Sequence, residues 1–322
     1  MADRLAVGVS YTYVHGEDLI RARDVNLPPP VYVSYPVYDS TGTNFLNEFY
    51  SEASFATIQN TYSFTCPYPP CINSIARPIP QLGSVDVFES AASSVYNGAT
   101  LSIHRKMTNG VYFRLAYTFA HAVDDGQDAL VAGVPSTVQN SYAPNAEKGN
   151  SVTDQRNRFV MSWITEPKPF GREDPLLAAL FNEWKCAGVV TIGSGRPESV
   201  MVSGDPNQDG NDTNDRLPGA ARNAFTGPDY ATTDLRMTRR FFLGQHLKME
   251  LIAESFNLLN RDNKTVNITD EGLQTNTASF IKETTELGIT YYPGHYQVPA
   301  NLLRANSAFA PRQVQLGMRL VY

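Results

Sequence analysis

Arg312-Gln313-Val314-Gln315-Leu316-Gly317-Met318-Arg319-Leu320-Val321-Tyr322 is the stretch that decides the fold. Val314, Leu316, Met318, Leu320 and Tyr322 fall on one face of a period-two strand. Gln313, Gln315, Gly317 and Arg319 fall on the other, with Val321 the one apolar exception. A soluble sheet seldom ends on a bare strand with so continuous an aliphatic face. A transmembrane β-barrel strand needs one, because one side meets lipid and the other a polar lumen. The pattern predicts an all-β chain of antiparallel transmembrane β-barrel strands, with outer-membrane lipid as the partner of the apolar face.

Working outward, seven further segments alternate in the same way, giving about eight in all: residues 5–15, 95–107, 111–123, 156–166, 184–194, 231–242, 247–259 and 312–322. Each is close to the roughly 9–11 residues that a tilted strand needs to cross a bilayer. Val111, Phe113, Leu115, Tyr117 and Phe119 oppose Tyr112, Arg114, Ala116, Thr118 and Ala120. Phe159, Met161 and Trp163 share a face, as do Trp184, Cys186, Val190 and Ile192, and Leu247, Met249, Leu251 and Ala253.

The connections alternate as regularly as the strands. Met107-Thr108-Asn109-Gly110 is a tight hairpin turn, with Asn-Gly supplying positive φ angles. Leu243-Gly244-Gln245-His246 is a second short turn, and residues 167–183 make a moderate one with a helical turn over 176–181. Between them lie long polar connections at 16–94, 124–155, 195–230 and 260–311. That parity predicts periplasmic turns at one end and extracellular loops at the other, as in outer-membrane barrels. Within the first long loop, residues 31–38 and 85–90 are strand-like and are expected to extend the flanking strands above the membrane.

Composition is compatible with this reading. Charged residues make up 18% and the mean hydropathy is −0.29, mild because only alternate strand residues meet lipid. The 17 tyrosines and 16 phenylalanines suffice for aromatic girdles, and a net charge of −6 with no Lys/Arg run argues against a nucleic-acid partner. The longest purely apolar run, residues 176–181, falls far short of the ~20 residues of a helical span. Met1-Ala2-Asp3-Arg4 leads directly into a strand pattern without a signal-peptide apolar region, so upstream sequence is expected.

Several separated stretches resemble one family. Glu254-Ser255-Phe256-Asn257-Leu258-Leu259-Asn260 is similar to a signature near the end of TonB-dependent outer-membrane receptors. Tyr96-Asn97-Gly98-Ala99, residues 117–125, 154–160 and 23–30, and Asp205-Pro206-Asn207-Gln208-Asp209-Gly210 followed by Asn214-Asp215-Arg216 resemble its Oar-like branch. The resemblance implies a signal peptide, a plug domain and a barrel of about 22 strands, of which residues 1–322 are the C-terminal portion, roughly the last third. It further implies that the barrel-assembly machinery reads the terminal strand Val314, Leu316, Met318, Leu320 and Tyr322. TonB would be a partner only through the plug, which this stretch does not contain. The expected location is the bacterial outer membrane, and the expected role is TonB-dependent uptake or surface binding of a ligand.

Candidate sites are few. Asp205, Asn207 and Asp209, followed by Gly210, have the opening spacing of a calcium loop. Arg216 stands where the closing Glu belongs, so Asp212 or Asp215 has to complete the shell. The alternative is an Asx-rich surface loop. A Ca²⁺ in this extracellular loop is the one candidate cofactor. Cys66 and Cys71 flank a Pro-rich tetrapeptide, and a local disulfide fits an oxidising compartment; as a metal site they lack a second ligand pair. Asp234, Arg236, Arg240, Lys248, Glu250 and Glu254 read as a cross-strand ion-pair ladder in a wet lumen. His121 beside Asp124 and Asp125 reads as a rim histidine, and no hydrolase motif occurs, so no enzymatic activity is expected.

Two competing readings remain at this level. One is a self-contained eight-stranded barrel acting as an adhesin or surface binding protein. The other is a secreted soluble β-protein, which detergent-free solubility would reveal.

Overall fold

The computed structural model describes residues 5–59, 71–75, 77–126, 137–171, 173–244, 247–266, 277–282, 294–305 and 307–322. Its strands include β1 (Leu5–Asp24), β2 (Val31–Asp39), β3 (Phe45–Ser54), β4 (Asp86–Thr108), β5 (Val111–Asp124), β6 (Asn157–Thr165) and β7 (Trp184–Gly193). They continue with β8 (Val202–Ser203), β9 (Tyr230–Phe242), β10 (Lys248–Phe256), β11 (Ala278–Lys282), β12 (Gly294–Val298) and β13 (Gln313–Val321). The helix α1 (Pro175–Phe181) lies between β6 and β7. No helix among the described residues is long and apolar enough to cross a membrane.

Eight strands form one antiparallel wall in the order β1-β4-β5-β6-β7-β9-β10-β13. Each is hydrogen-bonded to the wall strands before and after it in the chain. These are the eight segments expected from alternation. Their register stacks the apolar faces into rows such as Val7, Ile103, Leu115, Met161 and Val190. Because this face has no protein to pack against, its side chains stay exposed: Val9 is 80% and Leu316 82% accessible. Exposure on that scale is untenable in water and natural in lipid. Among the described residues no pairing joins β1 to β13, and the wall is open.

The turn ends follow local chemistry. Asn109 and Gly110 take φ values of 51° and 72°, a turn with both central residues left-handed. The carbonyl of Gly110 accepts from Glu166 N–H at 2.7 Å, and a Cβ on Gly110 would stand 2.3 Å from Glu166 O. On the outer face the Trp163 indole lies across Gly188, its cross-strand partner. The helical turn expected at 176–181 is α1. Its Leu180 carbonyl accepts from Trp184 Nε1 at 3.0 Å, and its exposed Leu176, Leu180 and Phe181 join that tryptophan at the short-turn end, where an aromatic belt meets the lipid interface.

The other end differs from expectation. β1 and β4 do extend together above the membrane, down to the pair Asp24–Asp86, so residues 85–90 behave as expected. Residues 31–38 do not prolong the wall. β2 instead joins a second sheet in the order β8-β11-β12-β2-β3, built from three different long connections. Its pairings are parallel for β8–β11 and β12–β2 and antiparallel for β11–β12 and β2–β3. The reason is burial: Tyr35, Val37, Val202, Ala278, Phe280 and Tyr296 form an apolar cluster sealed from solvent. Edge-to-face ring contacts reinforce it, with centroids 4.8 Å apart for Tyr35–Phe280 and 5.4 Å for Phe280–Tyr296. The water-excluding core of this molecule thus lies in the loop layer, while the wall leaves its apolar face to the bilayer.

Candidate functional site

The polar face of the wall carries the expected ion-pair ladder. Arg236 meets Glu254 at 3.1 Å from the paired position on the next strand, and Arg240 approaches Glu250 at 3.4 Å. Arg319 on β13 donates to Glu250 from the other side at 2.9 Å. Lys185 joins through Glu166 at 3.1 Å. Asp234 instead serves the backbone: it accepts from Asn257 N–H at 2.9 Å and from the Thr232 hydroxyl at 3.0 Å. Lys248 lies over the Phe242 ring. A cavity of about 300 Å³ opens among Lys185, Arg236, Arg240, Glu250 and Arg319. A second, of about 430 Å³, lies nearer the loops and is lined among others by Gln155, Arg158, Arg196, Glu198, Tyr230 and Lys264. Mixed charges, amides and an aromatic ring suit a polar ligand with anionic and hydroxyl groups.

The loop from Asp205 to Arg216 is wedged under the second sheet. The carbonyl of Pro206 accepts from the Tyr35 hydroxyl, that of Asn207 from Phe55 N–H at 2.7 Å, and that of Asp215 from Val202 N–H at 3.0 Å. Within the loop, Asp205 accepts from the N–H groups of Asp209 and Gly210 at 3.0 and 3.1 Å. Asp209 Oδ1 accepts from Asn211 N–H at 2.7 Å, and its Oδ2 from the amides of Asn207 and Asn214 at 3.3 and 3.2 Å. Asn207, Asp209 and Asp215 are all buried, whereas Asp212 is exposed.

A fourth acid, Glu52 on β3, joins this centre from a position the loop's spacing could not reveal. It accepts from the Tyr296 hydroxyl. Burial drives its carboxyl up to about 7 and that of Asp209 up to about 6. Asp205 is raised as well, and Asp215 is held well above the ordinary carboxylate range by burial first, then by the charges of Asp209, Asp205 and Glu52. No three acidic, His or Cys side chains among the described residues are grouped closely enough to hold an ion as they stand.

Around this centre, Glu147 is clamped by the two terminal guanidinium nitrogens of Arg216 at 2.8 and 2.9 Å, while Arg222 donates to its carbonyl at 2.7 Å and pairs with Asp124. His121 faces the Asn150 amide oxygen at 3.1 Å. Cys186 is a free thiol on the outer face. Cys66 lies outside the described residues, and with it the disulfide expected to Cys71.

An open antiparallel wall with a lipid-exposed apolar face, a charged inner face, short turns at one end and long loops at the other is the architecture of an outer-membrane β-barrel. The chain belongs to the outer membrane beta barrel domain family, whose model matches residues 1–219. The protein is accordingly a bacterial outer-membrane protein. Among solved structures, the outer membrane transporter YddB from Escherichia coli is similar at 11% identity and a TM-score of 0.41, over 92% of this chain and 30% of that one. Pseudomonas aeruginosa FpvA bound to heterologous pyoverdines is similar at 12% identity and a TM-score of 0.39, over 100% of this chain and 31% of that one. The chain thus spans about a third of the length of each. No curated protein matches.

Proposed function

We propose that residues 1–322 are the C-terminal part of the barrel of an Oar-like TonB-dependent receptor of about 22 strands, which takes up or binds a ligand at the cell surface. The observation that carries this reading is the open wall. Eight strands closed on themselves leave an interior that side chains fill. Here no pairing among the described residues joins β1 to β13, and the polar face leaves cavities of about 300 and 430 Å³ lined by charged and polar side chains. The loop layer and the upper cavity then face the ligand from outside. TonB acts through the plug of the whole receptor, and the terminal strand from Val314 to Tyr322 is the segment offered to the barrel-assembly machinery. The role is binding and transport, not catalysis.

Paired cysteines test it. With Cys66, Cys71 and Cys186 replaced by serine, Val9→Cys is combined in turn with Val314→Cys, Leu316→Cys and Met318→Cys in the outer membrane of living cells. The wide-barrel reading requires that none of the three pairs forms a disulfide. An efficient cross-link in one register shows that β1 and β13 close on each other, and the self-contained surface-binding barrel replaces the receptor.

A further inference from the structure

The acidic centre beneath the loop layer has a property that its loop geometry does not account for. Asp215 is 0% exposed, and neither of its carboxylate oxygens has a hydrogen-bond partner among the described residues. Oδ1 of Asn214 and Oε2 of Glu52 are buried without a partner in the same way. A buried acceptor left unmade is strongly unfavourable, and a buried anion more so. The charges acting on Asp215 come chiefly from Asp209, then Asp205, then Glu52. These orphaned oxygens therefore belong to one acidic neighbourhood.

The cations nearby are largely committed elsewhere. Arg216 spends both terminal nitrogens on Glu147, and its charge offsets that around Asp215 only as the last of the influences on it. Arg77 donates to Asp24 at 2.7 Å and to the carbonyl of Asp209 at 2.7 Å. Lys282 donates to the Gln208 side chain at 2.8 Å and offsets part of the charge on Asp205. Four carboxylates consequently act on one another in a water-poor region with little positive charge to match them, though no three of them stand close enough to ligate one ion together.

We propose that this centre binds Ca²⁺, with Asp215 and Asp209 as the charged ligands, the Asn214 side-chain oxygen as a neutral one, and Glu52 and Asp205 completing the field around it. The donors are hard oxygens of mixed type in an irregular arrangement, which Ca²⁺ accepts and Mg²⁺, with its strict octahedron, does not. Two carboxylates plus neutral oxygens and water make a sufficient shell without a third acidic ligand. Asp209 stays competent because each carboxylate oxygen has two acceptor sites, and its bonds to Asn207 and Asn214 are the long ones at 3.3 and 3.2 Å. Bound there, the ion ties the loop from 205 to 216 to β3 and to the aromatic core above it. The expected dissociation constant is about 10⁻⁴–10⁻³ M, the range of extracellular calcium modules.

Terbium luminescence on the whole protein in detergent tests this, because the Tyr35 hydroxyl contacts the loop at Pro206 and its ring can sensitise a bound lanthanide. Tb³⁺ emission excited through tyrosine should appear, be displaced by Ca²⁺, vanish in Asp215→Asn and persist in Asp212→Asn. Glu52→Gln, which removes one negative charge from the field around the ion, should weaken binding. Amide exchange across 200–216 should slow with Ca²⁺ in the wild type and not in Asp215→Asn. That second reading separates lost binding from lost folding, since the wall amides must stay protected in both. Emission that survives Asp215→Asn and falls with Asp212→Asn would place the ion on the loop surface and overturn the proposal. So would exchange indifferent to Ca²⁺, which would make Asp215 a carboxylic acid kept neutral by burial.

Discussion

Replacing Leu115 by arginine places a charge on the lipid face of β5 at mid-depth. Both cross-strand partners of Leu115, Ile103 and Met161, are apolar, so no acid lies beside it on either neighbouring strand. Leu115 is four residues beyond Val111, which opens β5 at the short-turn end. At about 3.3 Å per residue and a tilt of about 40°, that lifts it roughly 10 Å into an apolar band about 25 Å tall. Arginine costs about 2–4 kcal/mol near the midplane and about 0–1 kcal/mol near the interfaces. At 1.4 kcal/mol per factor of ten, Leu115→Arg should shift the folding equilibrium by about thirtyfold to several hundredfold. Ser102→Arg is the matched control. It lies on the polar face between Gly8 and Ala116, where the new side chain enters the lumen, and should cost under about 1 kcal/mol. Urea unfolding in phosphatidylcholine vesicles, followed by the fluorescence of Trp163 and Trp184, reads both. Equal costs for the two substitutions would refute the assignment of faces, and with it the register on which the wall rests.

Three further expectations test other parts. Gly110→Ala should cost more than about 1 kcal/mol in the same assay, because the residue keeps φ at 72° and its Cβ would press on Glu166 O. Arg216→Met strands the buried Glu147 carboxylate and should destabilise the loop layer by about 3–5 kcal/mol; faster amide exchange in 139–147 with an unchanged wall is the expected pattern, and unchanged exchange in both would remove Glu147 as a tie. Above the membrane, Arg21 first and Arg23 second hold the Glu89 carboxyl below its usual range. A depressed folded value stabilises above the unfolded pKa of about 4.3 and loses that contribution as pH falls through the folded one. Opening of residues 19–24 and 86–90, corrected for intrinsic exchange, should therefore rise in acid below about pH 4.3, and Glu89→Gln should flatten the profile.

The eight wall strands were legible because each carries its own evidence. Period-two alternation is local, and a lipid face must be apolar along its whole length, so Val314 to Tyr322 could be read without knowing what lies beside them. The alternation of short and long connections then supplied orientation, and a meander of sequential neighbours implied a charged ladder on adjacent strands, within which the structure set the pairs Arg236 with Glu254 and Arg240 with Glu250. The loop layer was not legible. Its sheet joins residues 31–54 to 202–203, 278–282 and 294–298, and nothing in residues 31–38 distinguishes an extension of the wall from a strand that pairs with β12. Only the burial of Tyr35, Phe280 and Tyr296 against one another chooses between them.

The same division runs through the acidic centre. Sequence alone determined that Asp205, Asn207 and Asp209 form a tight oxygen-rich loop, since Asx spacing and a following glycine are properties of a short stretch. Tertiary structure decided that Asp215 rather than Asp212 turns inward and that Glu52, far away in the chain, faces the same space. Which carboxylates share a buried volume depends on which segments exclude water together. Spacing along the chain does not encode that.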